Sequence, residues 1–282
     1  MKKVLVTGAN GQLGRCLQVL SNISGDISFL FTDSNQLDIR DKEKLHNYFL
    51  ENDKIDYVIN CAAYTNVENA EKESKDSFLV NAEAVKNVAE VCQKYDTILL
   101  HISTDYVFDG NKNTPYTEED IPNPINEYGK SKLLGEQYIQ EIQEKYFIIR
   151  TSWLYSQFGK NFYQTIVKKS KTDKKLTITT AEIGTPTNAN DLAKFLIEII
   201  KNDNKNYGLY HFSNLGSATW FDFAEEILKI LGKRNEISLE KTDNYPTFAE
   251  RPKYSVLSKK KITGTFNSVI LNWKISLKEL AN

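Results

Sequence analysis

A short run that reads as a strand, Lys2-Lys3-Val4-Leu5-Val6-Thr7, leads into Gly8-Ala9-Asn10-Gly11-Gln12-Leu13-Gly14, and a helical period follows. Three glycines at this spacing, between a strand and a helix, form a turn against which a diphosphate can lie. Gly8 and Gly11 keep side chains out of the way, and Gly14 lets the helix press on the strand. The helix N-terminus then offers unpaired N–H groups and the positive end of its dipole. Within this turn Gly8, Asn10, Gly11 and Gly14 are candidate dinucleotide contacts. The second apolar run ends at Phe31-Thr32-Asp33, and Asp33 lies 19 residues past Gly14. A carboxylate there accepts from ribose hydroxyls, which favours NAD over NADP, or else it caps a turn. Asp38 either contacts the adenine amino group or caps the helix that starts near Asp41.

Five continuous apolar runs punctuate the first half: Val4-Leu5-Val6, Phe29-Leu30-Phe31, Tyr57-Val58-Ile59, Ile98-Leu99-Leu100 and Phe147-Ile148-Ile149. Runs without alternation fit strands covered on both faces. Helical periods at about 11–21, 41–52, 76–95 and 126–144 lie between them. The expected class is therefore α/β, a Rossmann-type doubly wound parallel sheet with right-handed crossovers. Further strands are expected at Leu176–Thr180 and Leu209–Ser213, and further helices near 161–171, 189–202, 219–232 and 272–281. The texture change near residue 151 suggests a dinucleotide-binding domain over 1–150. A smaller α/β substrate lobe would occupy 151–282, with some later strands returning to the sheet. The lysine runs Lys168-Lys169-Ser170-Lys171 and Lys259-Lys260-Lys261 read as solvated surface.

Composition narrows the function. Lys plus Arg number 36 and Asp plus Glu 37 in 282 residues, a net charge of −1, which argues against nucleic-acid or anionic-membrane binding through bulk charge. No apolar run approaches the roughly 20 residues of a spanning helix, and the apolar run after Lys3 ends too soon at Gly8 for a signal peptide. A cytoplasmic location is expected. Cys16, Cys61 and Cys92 are widely spaced and read as buried free thiols of a reducing compartment. With three histidines and no HExxH, metallohydrolase chemistry is disfavoured and no bound metal is expected.

The reaction chemistry gathers around two segments. The fourth strand runs into His101-Ile102-Ser103-Thr104-Asp105-Tyr106-Val107-Phe108-Asp109-Gly110, and Tyr128-Gly129-Lys130-Ser131-Lys132 opens a long helical stretch after a loop holding Pro115, Pro122 and Pro124. Tyr128 and Lys132, four apart, share a helix face. A phenol titrates near pH ~10, and an ammonium beside it would lower that value. The same lysine could bind nicotinamide ribose hydroxyls. Thr104, or Ser103, would hydrogen-bond a carbonyl under reduction. Small residues in Asn60-Cys61-Ala62-Ala63-Tyr64 allow a flat cofactor to lie across the third strand, or serve helix–sheet packing.

Taken together, the sequence resembles the extended short-chain dehydrogenases/reductases, and within them the dTDP-4-dehydrorhamnose reductase family. The resemblance covers nearly the whole chain. It rests on residues 8–14, 60–71, 103–110, 128–132 and Arg150-Thr151-Ser152-Trp153-Leu154-Tyr155, with support from Gly184-Thr185-Pro186-Thr187 and Arg251-Pro252-Lys253-Tyr254-Ser255-Val256-Leu257. It implies Thr104, Tyr128 and Lys132 as the catalytic groups. It implies Gly11, Gln12, Leu13, Asp38, Ile39, Ala62, Ala63 and Tyr64 along the cofactor, and Thr104, Asp105 and Trp153 at the sugar. Dehydrating relatives carry Thr-Asp-Glu where this chain has Thr104-Asp105-Tyr106, which favours plain ketone reduction. Some relatives bridge subunits with Mg²⁺ through acidic side chains. Arg15 and Asn190 depart from that pattern, which puts both the metal and that homodimer in doubt. Arg251 could hold a substrate diphosphate bidentately or form a surface salt bridge, and Asn161-Phe162 is a weaker candidate for the sugar nucleotide.

The expected activity is NADPH- or NADH-dependent reduction of the C4 ketone of dTDP-4-dehydro-6-deoxy-L-mannose. The alternatives are a reductase of another nucleotide-linked 4-keto-6-deoxy sugar, and a non-catalytic subunit that kept the cofactor turn.

Overall fold

In the computed structural model, which describes residues 1–281, six parallel strands form the central sheet. They are β1 (Lys2–Thr7), β2 (Ile27–Thr32), β3 (Tyr57–Asn60), β4 (Ile98–Thr104), β5 (Tyr146–Thr151) and, later in the chain, Gly208–His211. From one edge the order is β2, β1, β3, β4, β5, Gly208–His211. β1 has β2 on one side and β3 on the other, so successive crossovers diverge there. A crevice opens at the carboxyl ends of these strands.

Successive side chains of a strand point to opposite faces, and here both faces are covered. Val4, Val6, Ile59, Leu100, Phe147 and Ile149 pack with α1 (Gln12–Ser21) and the later helix Ala189–Lys201. Leu5, Val58, Leu99 and Ile148 pack on the other face with α2 (Lys42–Glu51), α3 (Ser74–Lys94) and α4 (Glu127–Ile142). That two-sided burial is why these strands read as unbroken apolar runs. A third core unites Tyr155, Ile166, Phe223, Ile227, Trp273 and Leu277 from the later helices Phe162–Lys169, Trp220–Ile230 and Trp273–Ala281.

Several expectations need correction. The strand expected at Leu176–Thr180 forms as Lys175–Thr179 but pairs in parallel with Ser238–Thr242, outside the main sheet. α3 begins at Ser74 and carries a π-helical turn at Leu79–Glu83. Short helices at Val67–Ala70 and Lys260–Phe266 also form. Lys259, read as solvated, is half-buried. Its Nζ donates to the Leu257 carbonyl at 2.6 Å, and burial pulls its pKa down to about 8. The three cysteines are free, Cys16 and Cys92 buried and Cys61 half-buried.

α4 is held against the sheet by a buried ion pair. Arg150 of β5 donates to Glu136 through Nε at 2.9 Å and Nη2 at 2.6 Å, and Ser103 of β4 donates to the same carboxylate at 2.5 Å. The helix starts at Asn126, whose Oδ1 accepts the Gly129 N–H at 2.8 Å. At Gly129 the backbone lies so close to β4's end that a Cβ would stand 2.1 Å from the Tyr106 carbonyl oxygen. Removing one partner of a buried pair strands the other charge. Glu136→Leu is therefore expected to lower unfolding free energy by about 3–5 kcal/mol in urea titration. Adding Arg150→Met should restore most of the loss.

Candidate active site

The glycine turn has the geometry its spacing predicts. Gly8 sits at φ +67°, and a Cβ there would stand 2.7 Å from the Ala62 nitrogen. A Cβ on Gly14 would stand 2.6 Å from the Gly8 oxygen. α1 begins after Gly11, which brings no capping side chain, and the first turn holds no acidic residue. Its amides are thus open to an anion. The turn floors a cleft of about 970 Å³ whose wall includes Gly8, Asn10, Gly11, Gln12, Leu13 and Gly14. The Gln12 side chain is engaged within the protein. Nε2 donates to the Leu154 carbonyl at 3.1 Å, and Oε1 accepts from Ser156 at 3.0 Å and Asn161 at 2.7 Å.

Farther along, Asp33, Asp38 and Ile39 also line the cleft. Asp33 Oδ1 accepts the N–H groups of Asn35 and Gln36 at 2.9 and 3.1 Å, and Oδ2 accepts from Asn10 at 2.6 Å. The carboxylate thus caps its own turn while facing the cleft. Asp38 is bound by Arg40, with Nε 2.9 Å from Oδ1 and Nη2 2.7 Å from Oδ2, and this pairing holds its carboxyl below the usual range. Arg40 and Ser34 also line this end, and the sequence reading did not single them out. Across the floor, Ala62 and Ala63 line the cleft. Tyr64 is not part of its wall: its N–H and carbonyl are both bound by Asn81 at 2.9 Å, and its hydroxyl donates to Glu73.

Thr104, Asp105, Tyr128 and Lys132 stand together on one wall. Thr104 Oγ1 accepts the Tyr106 N–H at 3.1 Å, and its hydroxyl also contacts the Tyr128 phenol. Ser103, the other hydroxyl considered, donates to Glu136 instead. One expectation is corrected here. Burial pushes the Tyr128 phenol up to about 12, opposed by the Thr104 hydrogen bond, and Lys132 contributes no lowering. The reason is geometric. Lys132 Nζ donates to the Ile102 carbonyl at 2.7 Å and lies 3.2 Å from His101 Nε2, and burial draws the amine down to about 8.

The far end is aromatic. Trp153 adopts φ +44°, and its ring stacks on Trp220 at 3.6 Å with planes 6° apart. Trp220, Phe162 and Phe223 share the wall with Trp153 and Asn161. Trp220 Nε1 donates to Glu182 at 2.5 Å. Arg251 is not on the wall. Its Nη2 donates to Glu68 at 2.7 Å, which also accepts the Phe248 N–H at 2.7 Å. Buried polar atoms without a protein partner include Asp105 Oδ2, Thr151 Oγ1 and Tyr155 OH of the cleft-lining residues, and Arg251 Nε off the wall. An open helix N-terminus at one end and an orphaned carboxylate oxygen on the cleft wall fit a bound dinucleotide and a polar second ligand. Among the described residues no cluster of three or more His, Cys, Asp or Glu could hold a metal ion.

Comparison with known proteins gives a consistent family. The family model described as the RmlD substrate binding domain matches residues 1–282. A dTDP-4-dehydrorhamnose reductase of Aggregatibacter actinomycetemcomitans is 37% identical, over 99% of this chain and 98% of its own. A crystal structure of a dTDP-4-dehydrorhamnose reductase from Clostridium acetobutylicum superposes with a TM-score of 0.92 at 39% identity, covering 99% of this chain and 98% of that one. A dTDP-4-dehydrorhamnose reductase from Bacillus anthracis in complex with NADP has a TM-score of 0.95 at 36% identity, covering 99% of both chains.

Burial raises Asp105 from 3.8 to about 7, so the folded chain binds its proton more tightly than the unfolded chain does. Its contribution to stability is greatest below about pH 4 and falls as pH rises to about 7. Asp105→Asn, which removes the ionisable group, is expected to be more stable than the parent by about 2–4 kcal/mol at pH 8. The difference should vanish below pH 4, as read from denaturant midpoints across pH.

Proposed function

The chain belongs to the family of the RmlD substrate binding domain, and we propose that it reduces the C4 ketone of dTDP-4-dehydro-6-deoxy-L-mannose to dTDP-L-rhamnose, with NADPH or NADH as reductant. The carrying observation is that Thr104, Tyr128 and Lys132 share one wall of a cleft that starts at an uncapped helix N-terminus. A nicotinamide cofactor supplies the hydride. Gly8, Asn10, Gly11, Gln12, Leu13 and Gly14 hold its diphosphate, Asp33, Asp38 and Ile39 its adenosine, and Ala62 and Ala63 its flat face. Tyr64 is bound to the Asn81 side chain through its backbone.

The Tyr128 phenol, half-buried on the cleft wall and pushed up to about 12, stays protonated at neutral pH. It gives its proton to the C4 oxygen as negative charge develops there. Thr104 donates to the same oxygen and orients the ketone. Lys132 presents an N–H to the ribose. Asp105 meets a sugar hydroxyl with its free oxygen, and Trp153, backed by Trp220, gives the deoxysugar an apolar wall. Arg251 is not among the cleft-lining residues and is held by Glu68 at 2.7 Å.

Residues 1–150 handle the dinucleotide and 151–282 the sugar nucleotide, with Ala189–Lys201 and Gly208–His211 completing the first unit. The enzyme works in the cytoplasm in this reading. No helix among the described residues is long and apolar enough to cross a membrane.

Purified protein given the keto-sugar, generated in situ, should oxidise NADPH or NADH and yield the 6-deoxy-L-mannose product. Reduction of a different 4-keto-6-deoxy nucleotide sugar in the same panel would redirect the substrate assignment. Tyr128→Phe should lose at least ~100-fold in turnover while still binding cofactor, and an unchanged rate would remove the phenol from the reaction.

A further inference from the structure

Trp153 shows the cleft a rim rather than a face. A Cβ on Gly184 would stand 2.5 Å from Cε2 of its indole, and 2.7 and 2.8 Å from the bonded neighbours Nε1 and Cζ2. With the shared atom nearest, Gly184 lies over the ring plane; from the rim, one of the neighbours would be nearer. The other face is covered by Trp220, at 3.6 Å with planes 6° apart. Both faces of the indole are therefore closed by protein, and no ligand ring can stack on them. What half-buried Trp153 has left for the cleft it lines is its rim. An aromatic rim is the positive part of the ring's quadrupole, and on an indole it carries the one N–H donor. That N–H meets no acceptor among the described residues and is not sealed from solvent.

One short ribbon builds the clamp. Ile183–Gly184 pairs antiparallel with Ala218–Thr219, Ile183 opposite Thr219 and Gly184 opposite Ala218. One step further along that register, Glu182 comes opposite Trp220. Its carboxylate accepts the Trp220 N–H at 2.5 Å. A capping box between Thr219 and Asp222 fixes the start of the helix Trp220–Ile230, and Phe162 leans on the Trp220 ring at 4.7 Å. The ribbon that lays Gly184 on one face of Trp153 thus aims Trp220 at the other, and Glu182 holds Trp220 against rotation in its own plane. The two indoles differ in their donors: that of Trp220 is taken by Glu182, and that of Trp153 stays open. At φ +44° the Trp153 backbone is strained, so this pose depends on the packing around it.

We propose that Glu182 is a positioning residue for the substrate site: by holding Trp220 it keeps Trp153 clamped rim-first, so that the Trp153 N–H donates to an oxygen of the sugar nucleotide, on its diphosphate or on its sugar. This rests on the reading of the cleft as a sugar-nucleotide site, and it adds a donor to the apolar wall.

The indole signals test it. In ¹⁵N-tryptophan-labelled protein, Trp153, Trp220 and Trp273 give three indole N–H resonances, assigned by Trp153→Phe and Trp220→Phe. Without ligand, the Trp220 N–H should exchange slowly with water and the Trp153 N–H quickly. Glu182→Ala should bring Trp220 to fast exchange, and Glu182→Gln, which keeps an acceptor, should leave it slow. A fast Trp220 N–H in the parent, or no change in Glu182→Ala, overturns the clamp, and neither result needs a substrate. With dTDP-L-rhamnose and NADPH, a pair that cannot react, the Trp153 N–H should move downfield and slow while Trp220 stays. The same shift with dTDP alone assigns the acceptor to the diphosphate; a shift only with the sugar present assigns it to a sugar hydroxyl. A complex that moves other signals and leaves the Trp153 N–H fast overturns the proposal. If neither compound binds, the substrate reading falls and the donor role with it, while the clamp stands or falls on the ligand-free exchange. In kinetics, Glu182→Ala should raise KM about tenfold with kcat nearly unchanged, the loss of one hydrogen bond made equally before and during reaction. Glu182→Gln should restore KM. A folded Glu182→Ala enzyme with unchanged KM, or one losing kcat alone, overturns the proposal. If Glu182→Ala does not fold, Trp153→Phe, which keeps a ring in the clamp without the N–H, must raise KM in the same way.

Discussion

Everything chemical in this molecule hangs on how α4 is fixed to the sheet. Tyr128 and Lys132 ride on that helix, and their distance from the strand ends sets whether they can act. The Glu136–Arg150 pair, 2.6 Å apart and shielded from water, ties the helix's middle to β5. Gly129 presses its first turn onto the Tyr106 carbonyl. An apolar pair could hold the helix equally firmly, but it would leave the Ser103 hydroxyl without its acceptor. Glu136, one turn along the same helix, also favours the charged form of Lys132 against the opposing effect of burial.

Burial then acts on the two proposed reaction groups, Tyr128 and Lys132, in opposite directions. It raises the phenol to about 12 and lowers the amine to about 8, because each charged form is penalised by loss of water. The Tyr128 phenol is therefore not an activated phenolate. It is a protonated donor, which suits delivery of a proton to a developing alkoxide. The cost falls on the ammonium, which donates to the Ile102 carbonyl at 2.7 Å.

Much of the fold was legible because its strands are covered on both faces and so read as unbroken apolar runs. Ser238–Thr242 was not, since most of its side chains are exposed and its sequence, Ser-Leu-Glu-Lys-Thr, has no such run. Lys260–Phe266, with Thr263, Gly264 and Thr265, has no helical period to read. At the site, the glycine turn and the Tyr128–Lys132 spacing were legible because both are local. A four-residue spacing fixes a shared face; where Nζ goes from there depends on β4, and the phenol's expected lowering failed for that reason. Arg40 gives only a single-residue signal. Trp220 sits in an amphipathic helix where a core role is the simpler reading, and its stack on Trp153 joins residues far apart in sequence. Tyr64 lay in the right segment, but its backbone turns toward Asn81 in the π-helical turn, which no local pattern announces.

The two ends of the cleft are also mechanically joined. Gln12, the first residue of α1, reaches across to Leu154, Ser156 and Asn161, so the turn that would hold phosphates is bolted to the loop following Trp153. Trp153 itself occupies a left-handed backbone conformation, which costs a bulky residue about 1–3 kcal/mol. The stack on Trp220 and the bare surface of Gly184, where a Cβ would meet the indole at 2.5 Å, offset that strain. Strain held by packing on one side and by Gln12 on the other leaves the indole little freedom to retreat. A sugar entering the cleft thus meets a preformed aromatic wall, and the entropy of ordering it has been lost already during folding.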